Sequence, residues 1–130
     1  MSKVRNKNTD LEQLVCSKLR RSRIKFKTHV KDLPGTPDIV VTGSKIAVFV
    51  DGDFWHGYRF PSWETSVSPF WRSKILKNRN RDLRNFRRIR RMGWRVIRLW
   101  QHQLKEDSNF YIEKILNLIE KPVVSRKKYA

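Results

Sequence analysis

The chain is 130 residues long and carries 30 Lys and Arg residues against 12 Asp and Glu residues, a formal net charge of +18. This length gives one domain with a modest core, and such a charge predicts nucleic acid as the partner, because Lys and Arg neutralise backbone phosphates. The longest apolar runs are only as long as a strand, which excludes a spanning helix, and a single cysteine without a secretory signal is typical of a cytoplasmic protein.

The first segment is predicted to be a basic arm followed by a helix. Residues 1–8 are rich in Lys and Arg. Thr9 and Glu12 have the spacing of a capping box, which predicts a helix from Thr9 to about Arg21. Apolar residues then alternate with Lys and His over residues 24–30, the period of a half-buried strand.

Two short apolar runs follow and form a predicted β-hairpin. Ile39–Val41 and Ile46–Val50 are rich in β-branched residues and are joined by a turn sequence. Asp38 precedes the first run and Asp51 follows the second, so antiparallel pairing brings both carboxylates to one sheet edge. There they could share a hard cation such as Mg²⁺. Each could also simply end a strand, although His56 close behind favours a site.

A loop rich in aromatic, Ser and Pro residues is predicted at 57–69, followed by one long helix at 70–92. The apolar stripe of this helix also contains Asn78 and Asp82. A buried carboxylate is costly unless it is paired, so we expect Asp82 to face a cation, an imidazole or a solvated cavity. The alternative is a surface ion pair with a neighbouring Arg.

The opposite face of the long helix is strongly basic. It could follow a phosphate backbone or could simply be solvated, and it comprises Lys74, Lys77, Arg81, Arg84, Arg87, Arg88 and Arg91. The chain also has five Trp, seven Phe and three Tyr residues, whose rings could stack on bases or wedge between them.

The last elements complete a predicted α/β fold with a mixed central sheet flanked by helices. Residues 94–100 read as a strand that the long helix places parallel to the second hairpin strand, and residues 109–120 read as an amphipathic helix. We therefore expect a domain at 9–121 between the arm at 1–8 and a basic tail at 122–130.

Several separated motifs resemble the very short patch repair (Vsr) endonucleases. They lie between Thr9 and Leu104 and comprise Glu12, Leu33-Pro34-Gly35-Thr36-Pro37-Asp38, Phe54-Trp55-His56-Gly57, Phe70-Trp71, Lys77-Asn78 with Asp82, and Gly93-Trp94-Arg95-Val96. The resemblance implies a single-domain restriction-endonuclease-like (PD-(D/E)xK) fold. It also implies Mg²⁺-dependent cleavage of one DNA strand beside a T:G mismatch, with Mn²⁺ able to substitute.

The resemblance also implies site roles. Asp38 is similar to the family's metal-binding aspartate, and the backbone carbonyl of Val50 takes the place of its other protein ligand. His56 matches the histidine that activates water, and Asp82 matches the aspartate that orients it. Glu12 matches an N-terminal glutamate of the site, although a capping box alone would also explain it.

Contacts with DNA are expected from two sets of residues. The resemblance implies that Phe54, Trp55 and Trp71 wedge into the base stack. The long helix adds Lys74, Lys77, Asn78 and Arg81 as expected DNA-binding residues.

Two departures from the family pattern matter. The repair enzymes have a second catalytic histidine where this chain has Asp51, so Asp51 could ligate the metal directly, which is similar to Vsr-like catalytic domains of phage homing endonucleases. We also predict no structural zinc, with the loop after His56 held by aromatic packing instead. The positions that match the zinc ligands are not a thiolate-rich set: Asp53, Tyr58, Phe60 and His102. His29 and His102 are interpreted as structural.

The expected function is thus a Mg²⁺-dependent endonuclease that nicks double-stranded DNA, as in T:G repair. A Vsr-like homing, restriction or phage DNA-processing enzyme is one alternative, and a noncatalytic DNA-binding module or a structural ribonucleoprotein is another. A protein partner that supplies target specificity, and the choice between monomer and homodimer, stay open.

Overall fold

The computed structural model describes residues 2–120, with side-chain burial described for residues 10–119. The basic tail predicted at 122–130 lies outside the described residues. The elements in chain order are α1 (Ser2–Arg21), β1 (Lys27–Thr28), β2 (Ile39–Val41), β3 (Ile46–Asp51), α2 (Pro69–Arg91), β4 (Arg95–Trp100) and α3 (Gln101–Glu120).

The strands form one four-stranded mixed sheet in the order β1-β2-β3-β4. β2 and β3 are antiparallel, with Ile39 opposite Val48, as the hairpin pattern predicts. β3 and β4 are parallel, with Asp51 opposite Trp100, and α2 makes the crossover between them. The predicted α/β fold is confirmed, and it is consistent with the restriction-endonuclease-like architecture.

β3 is buried along its whole length, and its side chains alternate between two cores. Ile46, Val48 and Val50 pack in the core shared with α1 and α3. Ala47 and Phe49 pack in the core under α2. Helices therefore cover both faces, as predicted, and the same alternation directs Asp51 toward α2.

α2 follows its predicted limits closely. Ser68 caps it, with its side chain accepting a hydrogen bond from the backbone N–H of Trp71, and Pro69 occupies the first turn. Gly93 follows the helix with φ of +91°, a conformation that favours glycine. The predicted stripe is confirmed, because the buried positions of the helix are Ile75, Asp82, Phe86 and Ile89.

The predicted start of the first helix at Thr9 is wrong, because α1 begins at Ser2. A capping-box spacing is a local signal that also occurs inside helices, and Lys and Arg in residues 2–8 are good helix formers. Glu12 therefore lies within the helix rather than in its first turn. The assignment of residues 1–8 to an arm outside the domain stays a prediction.

Two further boundaries differ from the predictions. β1 covers only Lys27–Thr28 of the strand expected at 24–30, because pairing with the three-residue β2 ends where His29 turns with φ of +49°. The predicted last helix is only the second half of α3, which begins at Gln101 and is interrupted at Asp107. Asp107 accepts a hydrogen bond from the N–H of Phe110 and so caps that second half.

Among the described residues, no helix has the length and apolarity that crossing a membrane requires.

Candidate active site

A cavity of about 500 Å³ opens where the end of β3 meets α1 and α2. Every residue predicted to be catalytic lines it, namely Glu12, Asp38, Asp51, His56 and Asp82. The fold thus brings together side chains from two helices, two strand ends and the loop after β3. Their individual roles stay predictions.

Asp38 stands at the start of β2 beside the end of β3. Its Oδ2 accepts a hydrogen bond of 2.7 Å from the backbone N–H of Val50, as expected of a hairpin that joins these two ends. Burial raises the pKa of Asp38 to about 7, and the nearby carboxylates of Glu12 and Asp51 also raise it, against the effect of the Val50 N–H. A cation beside Asp38 would favour its ionised form.

Glu12 reaches the same cavity from the interior of α1. Its Oε1 lies 2.8 Å from His29 Nε2, and the ligand atoms of Glu12, His29 and Asp38 all lie within 4.8 Å of one another. Because α1 begins well before Glu12, the capping explanation of this residue falls away. His29 lines the cavity rather than standing apart from it. The backbone N–H of His29 donates to the backbone carbonyl of Asp38. The alternating strand pattern over residues 24–30 could have indicated that His29 lies beside Asp38.

His56 lies between two carboxylates. Its Nδ1 is 2.7 Å from Asp82 Oδ2, and its Nε2 is 3.5 Å from Asp51 Oδ1. The contact with Asp82 favours the tautomer that carries its proton on Nδ1, which leaves Nε2 to accept a proton. The expectation that Asp82 faces an imidazole or a cation is confirmed.

Arg98 is the site residue that the sequence analysis missed. Its Nε donates to Asp51 Oδ2 at 2.7 Å, and its Nη2 donates to Asp82 Oδ2 at 2.6 Å. Both carboxylates are buried, and burial raises the pKa of Asp51 while His56 and Arg98 oppose that rise. The sequence signal for this residue was an Arg inside an apolar strand. By alternation, Arg98 lies on the same face of β4 as Val96, which packs in the core under α2.

The carboxylates divide into two candidate metal groups. Among the described residues, these are Glu12, His29 and Asp38 on one side and Asp51, His56 and Asp82 on the other. Asp38 and Asp51 therefore do not share one such group, although both line the cavity. Direct ligation by Asp51 stays a prediction.

An aromatic cluster (Phe54, Trp55, Trp63 and Trp71) joins the loop after β3 to the start of α2, and Trp55 directly precedes His56 in the sequence. Phe54 stacks on Trp63 with ring centroids 5.6 Å apart, and Trp55 meets Trp71 edge-on at 5.2 Å. Phe54 is 40% exposed, so its ring is open to a partner. Trp63 is a member that the sequence analysis did not single out.

The residues predicted to bind DNA from α2 differ in their surroundings. Lys74, Lys77 and Arg81 are exposed, and Arg81 also lines the cavity. The side-chain amide of Asn78 instead donates to the backbone carbonyl of Trp55 at 2.8 Å. Asn78 thus holds the backbone of Trp55 in the aromatic cluster, and a contact between Asn78 and DNA stays a prediction.

Ring packing and a contact between an imidazole and a carboxylate hold the loop at the positions that correspond to the family's zinc ligands. His102 Nδ1 is 2.9 Å from Asp53 Oδ1, and the imidazole lies 4.4 Å from the ring of Tyr58. Phe60 is fully buried and meets Trp63 edge-on. The expected aromatic packing of this loop is confirmed, whereas the absence of zinc stays a prediction.

Comparison with known proteins shows the family. The family model described as "DNA mismatch endonuclease Vsr" matches residues 1–62. The chain is 43% identical over 108 residues to the "Type II nicking enzyme V.XorIIP" of Xanthomonas oryzae pv. oryzae, covering 82% of this chain and 79% of that protein. It is 30% identical over 125 residues to the "DNA mismatch endonuclease Vsr" of Escherichia coli K12, covering 92% and 78%.

A third relative is the "Type II nicking enzyme V.NmeAIP" of Neisseria meningitidis, 35% identical over 107 residues and covering 81% of this chain and 76% of that protein. Each of these three matches covers more than three quarters of both chains. The chain belongs to the Vsr family of DNA endonucleases.

Proposed function

We propose that this protein is a Mg²⁺-dependent endonuclease that nicks one strand of double-stranded DNA beside a T:G mismatch. One observation carries the proposal: the cavity combines the carboxyl of Asp38 with an imidazole, His56, that Asp82 orients. The names of the relatives, which include nicking enzymes and a mismatch endonuclease, support the choice of reaction.

The donor atoms fit a hard divalent ion. Asp38 would hold it together with the backbone carbonyl of Val50, with Glu12 close enough to contribute and Asp51 as a further proposed ligand. Mg²⁺ prefers oxygen ligands, and Mn²⁺ also accepts an imidazole such as His29. When bound, the ion would polarise the scissile phosphate and offset the charge that develops there.

His56 would remove the proton from the attacking water. Its Nδ1 contacts Asp82, and the ring lines the cavity with an Nε2 lone pair that can accept the proton. The carboxylates of Asp82 and Asp51 would then stabilise the imidazolium that forms.

The aromatic cluster and the basic face of α2 would bind the substrate. Exposed rings such as Phe54 can enter the base stack, and distorting the duplex costs least where pairing is already weakened by a mismatch. Lys74, Lys77 and Arg81 would contact phosphates, which positions the duplex without reading its sequence. We further place the protein in the cytoplasm, where Cys16 stays reduced.

The test uses purified protein, supercoiled plasmid, and end-labelled duplexes with either a T:G mismatch or full pairing. We expect Mg²⁺ or Mn²⁺ to support nicking that EDTA abolishes, with the mismatched duplex cut faster, and we expect Asp38→Ala and His56→Ala to be inactive but to bind DNA. Binding without cleavage under every condition would indicate a noncatalytic module.

Two other outcomes would change only part of the proposal. Cleavage of a paired target sequence with no mismatch preference would indicate a homing or restriction role. Nicking that needs added cell extract would indicate a protein partner that supplies specificity.

A further inference from the structure

We infer that Arg98 is a positioning residue that fixes the carboxylates on both sides of His56. The inference rests on the proposed role of His56 as the base. Arg98 lies on β4, and the two carboxylates to which it donates come from β3 and α2.

The four side chains form a closed ring of contacts. Arg98 bridges Asp51 and Asp82 through Nε and Nη2, at 2.7 and 2.6 Å. His56 bridges the same two carboxylates from the other side, at 3.5 and 2.7 Å. The planar guanidinium presents its donors in a fixed fork, so it sets the distance between its two partners as a single ammonium could not.

Aromatic rings hold the guanidinium itself. Its central carbon lies 4.2 Å from the ring centroid of Trp100 and 5.0 Å from that of Phe86. The side chain is 19% exposed, and its two strongest contacts point to carboxylates rather than outward. Arg98 therefore influences the reaction through its contacts with Asp51 and Asp82, and through them His56, rather than by touching the substrate.

Among the described residues, Asp51 and Asp82 are both contacted by Arg98 and by His56, so loss of Arg98 leaves the imidazole between the two carboxylates. Arg81 approaches Asp82 only to 4.0 Å from an exposed position. Asp51 and Asp82 would then no longer be held at a fixed separation, and the imidazole would lose the orientation in which Nδ1 contacts Asp82 while Nε2 stays available at the cavity. Because both carboxylates are largely buried, each depends on protein partners for most of its hydrogen bonds.

The test compares Arg98→Met with Arg98→Lys and with a matched control, Arg95→Met. Met keeps an apolar side chain against Phe86 and Trp100 but removes the hydrogen bonds that link Asp51 to Asp82. Arg95 lies on the same strand, and its side chain donates to the backbone carbonyl of Ser44, away from the cavity. Single-turnover nicking is measured against DNA and Mn²⁺ concentration for each variant.

We expect Arg98→Met to lower the maximal rate roughly 10- to 100-fold, which is typical for groups that support a metal-site residue. Half-saturating DNA and Mn²⁺ concentrations should stay within about twofold. Arg98→Lys should recover part of the rate, and Arg95→Met should match the wild type. An unchanged maximal rate in Arg98→Met, or an equal fall in Arg95→Met, would overturn the inference.

NMR of protein with ¹⁵N-labelled histidine provides a second readout that does not depend on cleavage. The Nδ1–H signal of His56, assigned with His56→Gln, should shift or broaden in Arg98→Met and stay in place in Arg95→Met. An unchanged signal overturns the inference even if the rate falls. If the wild type cleaves nothing, the proposed function fails while this readout still tests Arg98, and if Arg98→Met does not fold, Arg98→Lys takes its place.

Discussion

The carboxyl of Asp38 is the residue whose ionisation should control metal binding. Its pKa lies at about 7 mainly because it is buried. Below that pH the carboxyl holds a proton, which a metal ion must displace. We expect the affinity for Mn²⁺, measured by electron paramagnetic resonance, to fall about tenfold for each pH unit below about 6. An affinity that stays flat from pH 8 to pH 5 would contradict the assignment of Asp38 as a ligand.

In the metal-free protein, ionised Asp38 should lower the free energy of unfolding. The pKa of Asp38 rises from 3.8 to about 7 on folding, so the folded state binds more protons than the unfolded chain in that window. Stability therefore falls as pH rises from about 4 to about 7. Asn at this position keeps an acceptor for the Val50 N–H without the charge. We expect Asp38→Asn to raise the free energy of unfolding by roughly 1–2 kcal/mol at pH 8, measured by urea unfolding in EDTA.

Asp32→Asn is the matched control, because Asp32 is an exposed carboxylate on the nearby loop. It should leave stability within about 0.5 kcal/mol of the wild type. If Asp38→Asn instead lowered the free energy of unfolding, the cavity would stabilise the ionised carboxylate of Asp38, which would contradict this prediction.

The turn after His56 constrains the elements around it. Gly57 has φ of +69°, and a Cβ there would lie 2.8 Å from Ile75 Cγ2 and 2.7 Å from Arg79 Cδ on α2. We expect Gly57→Ala to destabilise the protein by about 1–3 kcal/mol, because the backbone strain and the close contact act together. Thermal unfolding would measure this. Gly43→Ala is the control, since a Cβ at Gly43 meets nothing within 4 Å.

The aromatic cluster should contribute to DNA binding through its exposed ring. We expect Phe54→Ala to weaken binding to a mismatched duplex by about 1–3 kcal/mol, the range for a lost base–aromatic stack, with little change in melting temperature. Fluorescence anisotropy would measure the affinity. Phe110→Ala removes a ring from α3 that is 51% exposed, against 40% for Phe54, and should leave binding unchanged. Equal losses in both variants would mean that general hydrophobicity, not the cluster, is responsible.

The elements that carry the site could largely be predicted from sequence. The two apolar hairpin runs placed Asp38 and Asp51 at one sheet edge, and the helical stripe identified Asp82, because both patterns reflect which segments are buried. Arg98 could not be found by the same reading, since its partners come from two other elements. An Arg inside an apolar strand indicates a partner but does not say which.

The errors at helix starts have a common physical origin. Thr9 and Glu12 form a local pattern that helix propagation from earlier residues overrides. The first half of α3 was missed because it is held by tertiary packing of Leu104 and by the side chain of Gln103, which accepts from the N–H of Trp100. The packing of Leu104 depends on the folded sheet, whereas the Gln103 contact spans three residues and is a local cap that the sequence could have indicated.

At the scale of the whole molecule, the net charge of +18 should dominate affinity for DNA. The basic face of α2 is exposed along its length, including Arg84 and Arg88. We expect the double substitution Arg84→Gln with Arg88→Gln to reduce the slope of log K against log salt by about 1–2 if both contact phosphates. Lys105→Gln with Lys114→Gln, on exposed positions of α3, is the charge-matched control. Equal reductions would mean that DNA does not follow α2.

The parallel pairing of β3 with β4 has a consequence for how the enzyme comes into being. Asp51 and Arg98 are 47 residues apart in sequence, so their contact forms only after the whole crossover has closed. During synthesis the carboxylates leave the ribosome before β4, and a partly made chain lacks the complete ring around His56. We therefore expect nascent and misfolded forms to lack nicking activity, so that the cell meets this nuclease as an active enzyme only once its last strand has docked.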